Sequence, residues 1–242
     1  MGYKAMLSRA MTPSTFRCGL MCAMMIPCTV QVAFSQPPTR EETKSVLQLS
    51  EAEQRQFVNS VLDGGFPQNQ GDKFSLLLVN RSSLVIPIVE ARLEQELKQP
   101  SRSERLIELA SAMIAYAGDE QSLRAISKLI AIDESRFGRL VARTLDNAGN
   151  WQNPFTVVYR AFELGDDAVS RHTAAWADSA LASDHMQRAW AEAMLDRYGK
   201  VPDDSELAKD PIATRLKDRA SPELRQNILR LAAEAQSKRE RR

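Results

Sequence analysis

Residues 165–181, GDDAVSRHTAAWADSAL, decide the fold class of this 242-residue chain. Gly165 suits the left-handed backbone conformation that ends one helix, and Asp166 suits the cap that opens the next. Small side chains then recur along the stretch, and they let a second helix approach closely. These residues are Ala174, Ala175, Ala177 and Ala180. The stretch therefore predicts a helix that is built to pack against neighbouring helices.

The same helix-ending and helix-starting signals occur elsewhere in the chain. Gly118-Asp119 repeats the pair 47 residues before Gly165-Asp166, a spacing close to the period of helical repeat arrays. Ser50 with Glu53 forms a capping-box pattern at a further helix start. Other boundaries are expected at Gly64, Pro154, Asp184, Gly199 and Pro222.

No segment after residue 36 alternates convincingly between apolar and polar residues. Leu76–Val79 could form a short strand, but a single strand has no partner with which to form a sheet. The pattern therefore predicts an all-α protein with nine to eleven helices.

The helical segments between residues 84 and 182 resemble HEAT repeats. Residues 84–97, LVIPIVEARLEQEL, look like the first helix of a repeat, with a proline set into an apolar run. Residues 104–116, ERLIELASAMIAY, look like its second helix, although Gln99-Pro100 stands where the family has aspartate. Further units are expected at 122–145 and 154–181. The third unit matches the family pattern at Asp167, Val169, Arg171, Ala174, Ala177 and Leu181.

This resemblance implies an α-α superhelix of stacked antiparallel helical hairpins. A single hairpin leaves an apolar face uncovered, so each unit needs a neighbour to bury it. A different helical repeat, such as a tetratricopeptide-like array, and an irregular helical bundle are the alternatives.

Residues 1–35 have the pattern of a cleavable signal peptide, which leaves residues 36–242 as one helical repeat domain. Basic residues precede the uncharged segment CGLMCAMMIPCTVQVAF at 18–34, and small residues at Ala33 and Ser35 mark a cleavage site. Met6 and Met11 are alternative starts. An uncleaved membrane anchor and a lipid-modified cysteine are the competing interpretations. The signal predicts an extracytoplasmic protein, either periplasmic or secreted, and membrane contact only if the segment stays uncleaved.

Charge and cysteine content argue against several classes of function. Without residues 1–35, 29 Lys and Arg face 31 Asp and Glu, in mixed order along the chain. This balance gives no electrostatic case for nucleic-acid binding. All three cysteines lie in the predicted signal, so the remaining chain is expected to have no disulfide and no thiolate nucleophile.

A search for catalytic motifs finds none. His172 and His185 lie too far apart along the chain to form a metal-binding pair on one helix face. Paired carboxylates stand mostly at expected helix starts, where they cap free amides. Serine-nucleophile and phosphate-binding motifs are missing from the sequence. We therefore expect no cofactor, no metal site and no catalytic residues.

Aromatic residues concentrate in residues 151–198, which hold all three tryptophans. They either fill the core or line a groove that anchors a partner. The candidate binding residues are Trp151, Tyr159, Arg171, His172, Trp176, Trp190 and Tyr198. The first hypothesis is an exported, non-catalytic scaffold that binds a protein or peptide. The alternative is an extracytoplasmic, hydrolase-like helical enzyme with a site near His172 and the aromatic cluster.

Overall fold

The computed structural model describes residues 46–64, 71–216 and 221–241, and these residues form helices joined by short turns. The predicted signal segment lies outside the described residues. The helices are α1 (Glu51–Gly64), α2 (Gly71–Asn80), α3 (Ser82–Leu97), α4 (Glu104–Ala117), α5 (Glu120–Ile132), α6 (Glu134–Phe137), α7 (Arg139–Ala148), α8 (Pro154–Glu163), α9 (Asp167–Ala180), α10 (Asp184–Tyr198), α11 (Asp204–Leu207), α12 (Pro211–Arg215) and α13 (Pro222–Glu240).

Helix ends fall where the glycines and aspartates predict them. Gly118 and Gly165 adopt positive φ angles of 65° and 70°. The next residue in each case, Asp119 or Asp166, accepts a hydrogen bond from a backbone amide in the first turn of the following helix, at 2.9 Å and 2.8 Å. Ser50 and Glu53 form the predicted capping box. Local chemistry therefore sets these boundaries.

Leu76–Val79 is helical, in agreement with the predicted all-α fold, and Phe74, Leu77 and Leu78 recur at helical spacing and are buried on one side of α2. The predicted number of helices is wrong, because the described residues contain thirteen, more than the expected nine to eleven. The additional ones are short helices in the connections, α6, α11 and α12, each opened by an aspartate cap.

From α2 to α9, each helix packs against the next helix along the chain, and the side-chain contacts show that some helices run in the same direction. The ends of α4 and α7 lie side by side, since Asn147 donates to the Ala115 carbonyl at 3.0 Å. The beginning of α6 contacts the first turns of α9 through Glu134 and Arg171. The end of α7 contacts α9 further along, through Asp146 and Trp176. The helices α8, α10 and α13 also run parallel to one another. The described part of the chain is thus all-α and built from packed helix pairs.

The core is one continuous cluster of aliphatic and aromatic side chains that extends from α1 to α13. In α13, the buried residues are Ile228, Leu231 and Ala232. Within the described ranges, no single helix is long and apolar enough to cross a membrane. By length and composition alone, Lys73–Asn80 and Ser82–Leu97 satisfy that test together, with a bend of 106° between them.

The end of α4 approaches the end of α7 so closely at Gly118 that a side chain there would meet backbone atoms. We expect Gly118→Ala to lower the free energy of unfolding by about 3 kcal/mol, because left-handed strain adds to overpacking. A Cβ at Gly118 would lie 2.6 Å from the Ala148 amide nitrogen, so backbone would have to move. Urea-induced unfolding measures the loss.

Gly165→Ala is the matched control for this substitution. Gly165 has a similar φ of 70°, but a Cβ there would meet no atom within 4 Å. It should therefore cost only the backbone strain, about 1 kcal/mol. Equal losses in the two variants would contradict the close approach of α4 and α7.

Candidate functional site

An open groove lies where the end of α7 meets the turn between α9 and α10. Its volume is about 510 Å³. We call it the Trp176 groove, and its lining residues are Asp146, Trp176, Ser179, Ala180, Ala182, Ser183 and Met186. An indole and a thioether on a small-residue floor suit the binding of an apolar side chain.

The indole of Trp176 is held in one orientation. Its ring is 8% exposed, and its Nε1 donates to Asp146 Oδ1 at 2.7 Å. Behind it lies the Phe155 ring, with centroids 5.7 Å apart. A helix residue fixed at both its polar and apolar sides loses little conformational freedom when a ligand binds.

The aromatic packing continues from Trp176 into the core. The ring of Phe155 stacks on Trp190 at 6.2 Å, and Trp190 Nε1 donates to the Tyr159 hydroxyl at 3.1 Å. The Tyr159 hydroxyl in turn donates to Asp210 Oδ2 at 2.7 Å. Burial, followed by the negative charge of Asp210, raises the pKa of Tyr159 above its ordinary value. The hydroxyl therefore stays protonated and serves as a donor.

Asp210 is a fully buried carboxylate that ties three helices together. It accepts hydrogen bonds from the hydroxyls of Tyr159 in α8 and Tyr198 in α10. It also caps α12 by accepting from the amides of Ile212 and Ala213 at 2.9 Å and 3.2 Å. These four donors offset the cost of burying the charge. The arrangement explains Asp210 as a structural residue.

Arg171 and His172 lie near the beginning of α9, away from the groove. Arg171 donates to both carboxylate oxygens of Glu134 at 2.9 Å and 3.1 Å, and His172 Nε2 lies 3.2 Å from Glu134 Oε1. Hydrogen bonding from Arg171 lowers the pKa of the Glu134 carboxyl. The imidazole packs directly on Gly138, where a Cβ would lie 2.6 Å from His172 Cε1. This cluster connects α6 to α9.

Glu134 is thus the carboxylate that contacts His172. Asp166 is engaged as the cap of α9 and accepts from Ser127 at 2.5 Å. A carboxylate that orients an imidazole could support acid–base chemistry. Arg171 donates to the same Glu134 carboxylate, and such a contact is also typical of an ion pair with a structural role.

Trp151 is exposed in the turn that follows α7. It is 47% exposed and meets Tyr116 edge-on, with centroids 5.9 Å apart. It is not among the residues that line the Trp176 groove. Exposed indoles are common in protein-binding surfaces.

The structure separates the seven predicted binding residues into four places. Tyr159 and Trp190 are buried in the core, so they cannot contact a partner directly, and Tyr198 is half-buried and bonded to Asp210. Trp176 lines the groove, and Trp151 is exposed in the turn after α7. The ion-pair cluster contains the remaining two candidates, Arg171 and His172.

Most predicted carboxylate pairs do act as caps. Asp119, Asp133, Asp166 and Asp203 each accept from backbone amides at the beginning of a helix. The pair Glu41-Glu42 lies outside the described residues. Over residues 46–64, 71–216 and 221–241, no three His, Cys, Asp or Glu side chains converge on a point that could hold a metal ion.

A second, smaller depression lies between α10 and α13. Its volume is about 280 Å³, and its lining carries charges of both signs, including Arg188, Glu192 and Glu234. Arg239 at its edge pairs with Asp196 at 2.8 Å. With its charges of mixed sign, this depression gives less chemical specificity than the Trp176 groove.

Comparison with known proteins finds no matching family model, no similar curated protein and no similar solved structure.

Proposed function

We propose that this chain is an exported, non-catalytic scaffold that binds a segment of another protein in the Trp176 groove. The observation that carries the proposal is the fixed indole of Trp176 beside Met186 in an open groove. Binding hot spots are commonly aromatic side chains that are held rigid and surrounded by small or polar residues. Trp151 is a further exposed aromatic side chain in the described residues.

The architecture that fits this role is a HEAT-like α-solenoid. Parallel alternate helices and packed hairpins are its expected features, and the resemblance at residues 84–182 points the same way. A stack of hairpins exposes an extended surface formed by helix ends and turns. The Trp176 groove is likewise formed by the end of α7 and the α9–α10 turn, which is compatible with this architecture. The export part of the proposal depends on the signal pattern in residues 1–35.

The second candidate function is acid–base catalysis at the Glu134–His172 pair. The observation in its favour is the 3.2 Å contact between His172 Nε2 and the carboxylate. The scaffold is the stronger proposal, because Arg171 shares that carboxylate and gives the cluster a structural role.

We expect Met186→Glu to weaken binding at the groove by at least about tenfold, because a charge would lose hydration against the apolar floor. The probe is a displayed library of random short peptides, selected on residues 36–242. Binding of the enriched peptides is then measured by isothermal titration calorimetry.

Ile132→Glu is the matched control. Ile132 is 57% exposed at the end of α5 and lies outside the groove lining. Peptides that bind the wild-type chain and the Ile132→Glu variant equally, but not Met186→Glu, would support the proposal. Enriched peptides that bind all three equally, or no enrichment at all, would contradict it.

A further inference from the structure

The described lining of the Trp176 groove has one carboxylate, that of Asp146 in α7, and no basic side chain. Between Arg171 and Arg188, the segment that supplies the other lining residues, the chain has no lysine or arginine. A carboxylate beside an apolar floor favours a partner that carries a positive charge.

Asp146 is the carboxylate best placed to bind that charge. One of its oxygens, Oδ1, accepts the indole proton of Trp176, so the side chain is oriented in the groove lining. Arg143 lies one turn before Asp146 on α7. Arg188 lies one turn after Asp184 on α10. In the part of the chain that the structure describes, neither arginine pairs with Asp146. A bound guanidinium or ammonium group can therefore approach this carboxylate.

We infer that the partner segment carries a lysine or arginine beside an apolar side chain. The basic group binds Asp146, and the apolar side chain packs on Trp176 and Met186. This inference rests on the proposed function, because it names the chemistry of the partner for the same groove. The partner is thus a protein segment that is both cationic and apolar.

The test uses the same displayed peptide library on wild-type residues 36–242 and on the Asp146→Asn variant. Asparagine keeps an oxygen that can accept the Trp176 indole proton, but it removes the charge. Asp204→Asn is the control, because Asp204 is exposed in α11 and its loss changes net charge by the same amount. Thermal unfolding followed by circular dichroism checks that all three chains fold.

We expect lysine or arginine next to an apolar residue in the peptides selected by the wild-type chain and by Asp204→Asn. The Asp146→Asn variant should bind those peptides about tenfold more weakly. A synthetic peptide with its lysine changed to glutamine should lose the same factor on the wild-type chain, and this readout leaves the protein unaltered.

Each outcome separates the inference from the proposed function. Peptides that need Met186 but contain no basic residue, or that bind Asp146→Asn and Asp204→Asn alike, overturn the inference and leave the scaffold proposal standing. Peptides that bind independently of Met186 overturn both.

Discussion

Asp210→Ala is expected to lower the free energy of unfolding by about 3–5 kcal/mol. The substitution leaves two tyrosine hydroxyls and two backbone amides without their acceptor in a buried site. A buried donor that loses its partner costs about 1–3 kcal/mol, and several donors lose the same acceptor here. Urea-induced unfolding, followed by circular dichroism, gives the value.

Asp203→Ala is the control for the loss of a helix cap. Asp203 is exposed, and its carboxylate accepts from the amides of Ser205 and Glu206 in α11. Its removal should cost about 1 kcal/mol, the usual value for a cap. If the two variants lose the same free energy, Asp210 acts only as a cap, and its bonds to the tyrosines add nothing.

Asp210→Asn separates hydrogen bonding from charge in the same position. An asparagine carbonyl still accepts from some of the four donors, but its amide group adds donors of its own. We expect a loss between those of wild type and Asp210→Ala. A loss as large as that of alanine would show that the second oxygen of the carboxylate, which receives both tyrosine hydroxyls, is required.

The sequence predicts the helix boundaries well because the interactions that set them are local. A cap at Asp119 or Asp166 bonds to an amide three residues away, so its pattern is visible in a short stretch. The short helices α6, α11 and α12 also begin at aspartate caps, but they lack the length that makes an apolar period recognisable. Their number was therefore underestimated.

The candidate site was harder to predict because its contacts are long-range. Tyr159 and Asp210 lie 51 residues apart, and Glu134 and His172 lie 38 residues apart. No pattern in one sequence pairs such residues, although Asp210-Pro211 has the form of a helix start. Composition located the aromatic cluster but left open which rings were buried. That distinction depends on which helices are neighbours.

Trp176 is buried and Trp151 is exposed, so truncation of these two side chains should change the free energy of unfolding by very different amounts. We expect Trp176→Ala to lower the free energy of unfolding by about 3–5 kcal/mol, because it leaves a cavity against Phe155 and removes the donor to Asp146. Trp151→Ala should change it by less than about 1 kcal/mol, since that ring is 47% exposed. Urea-induced unfolding of both variants makes the comparison.

Trp176→Phe completes the test, because it keeps an aromatic floor for the groove and deletes only the indole donor. Its expected loss lies between those of wild type and Trp176→Ala, and the difference from wild type includes the hydrogen bond to Asp146. If Trp176→Ala and Trp151→Ala both unfold like wild type, the Trp176 ring is not a core residue. That result would contradict the packing of the Trp176 ring against Phe155.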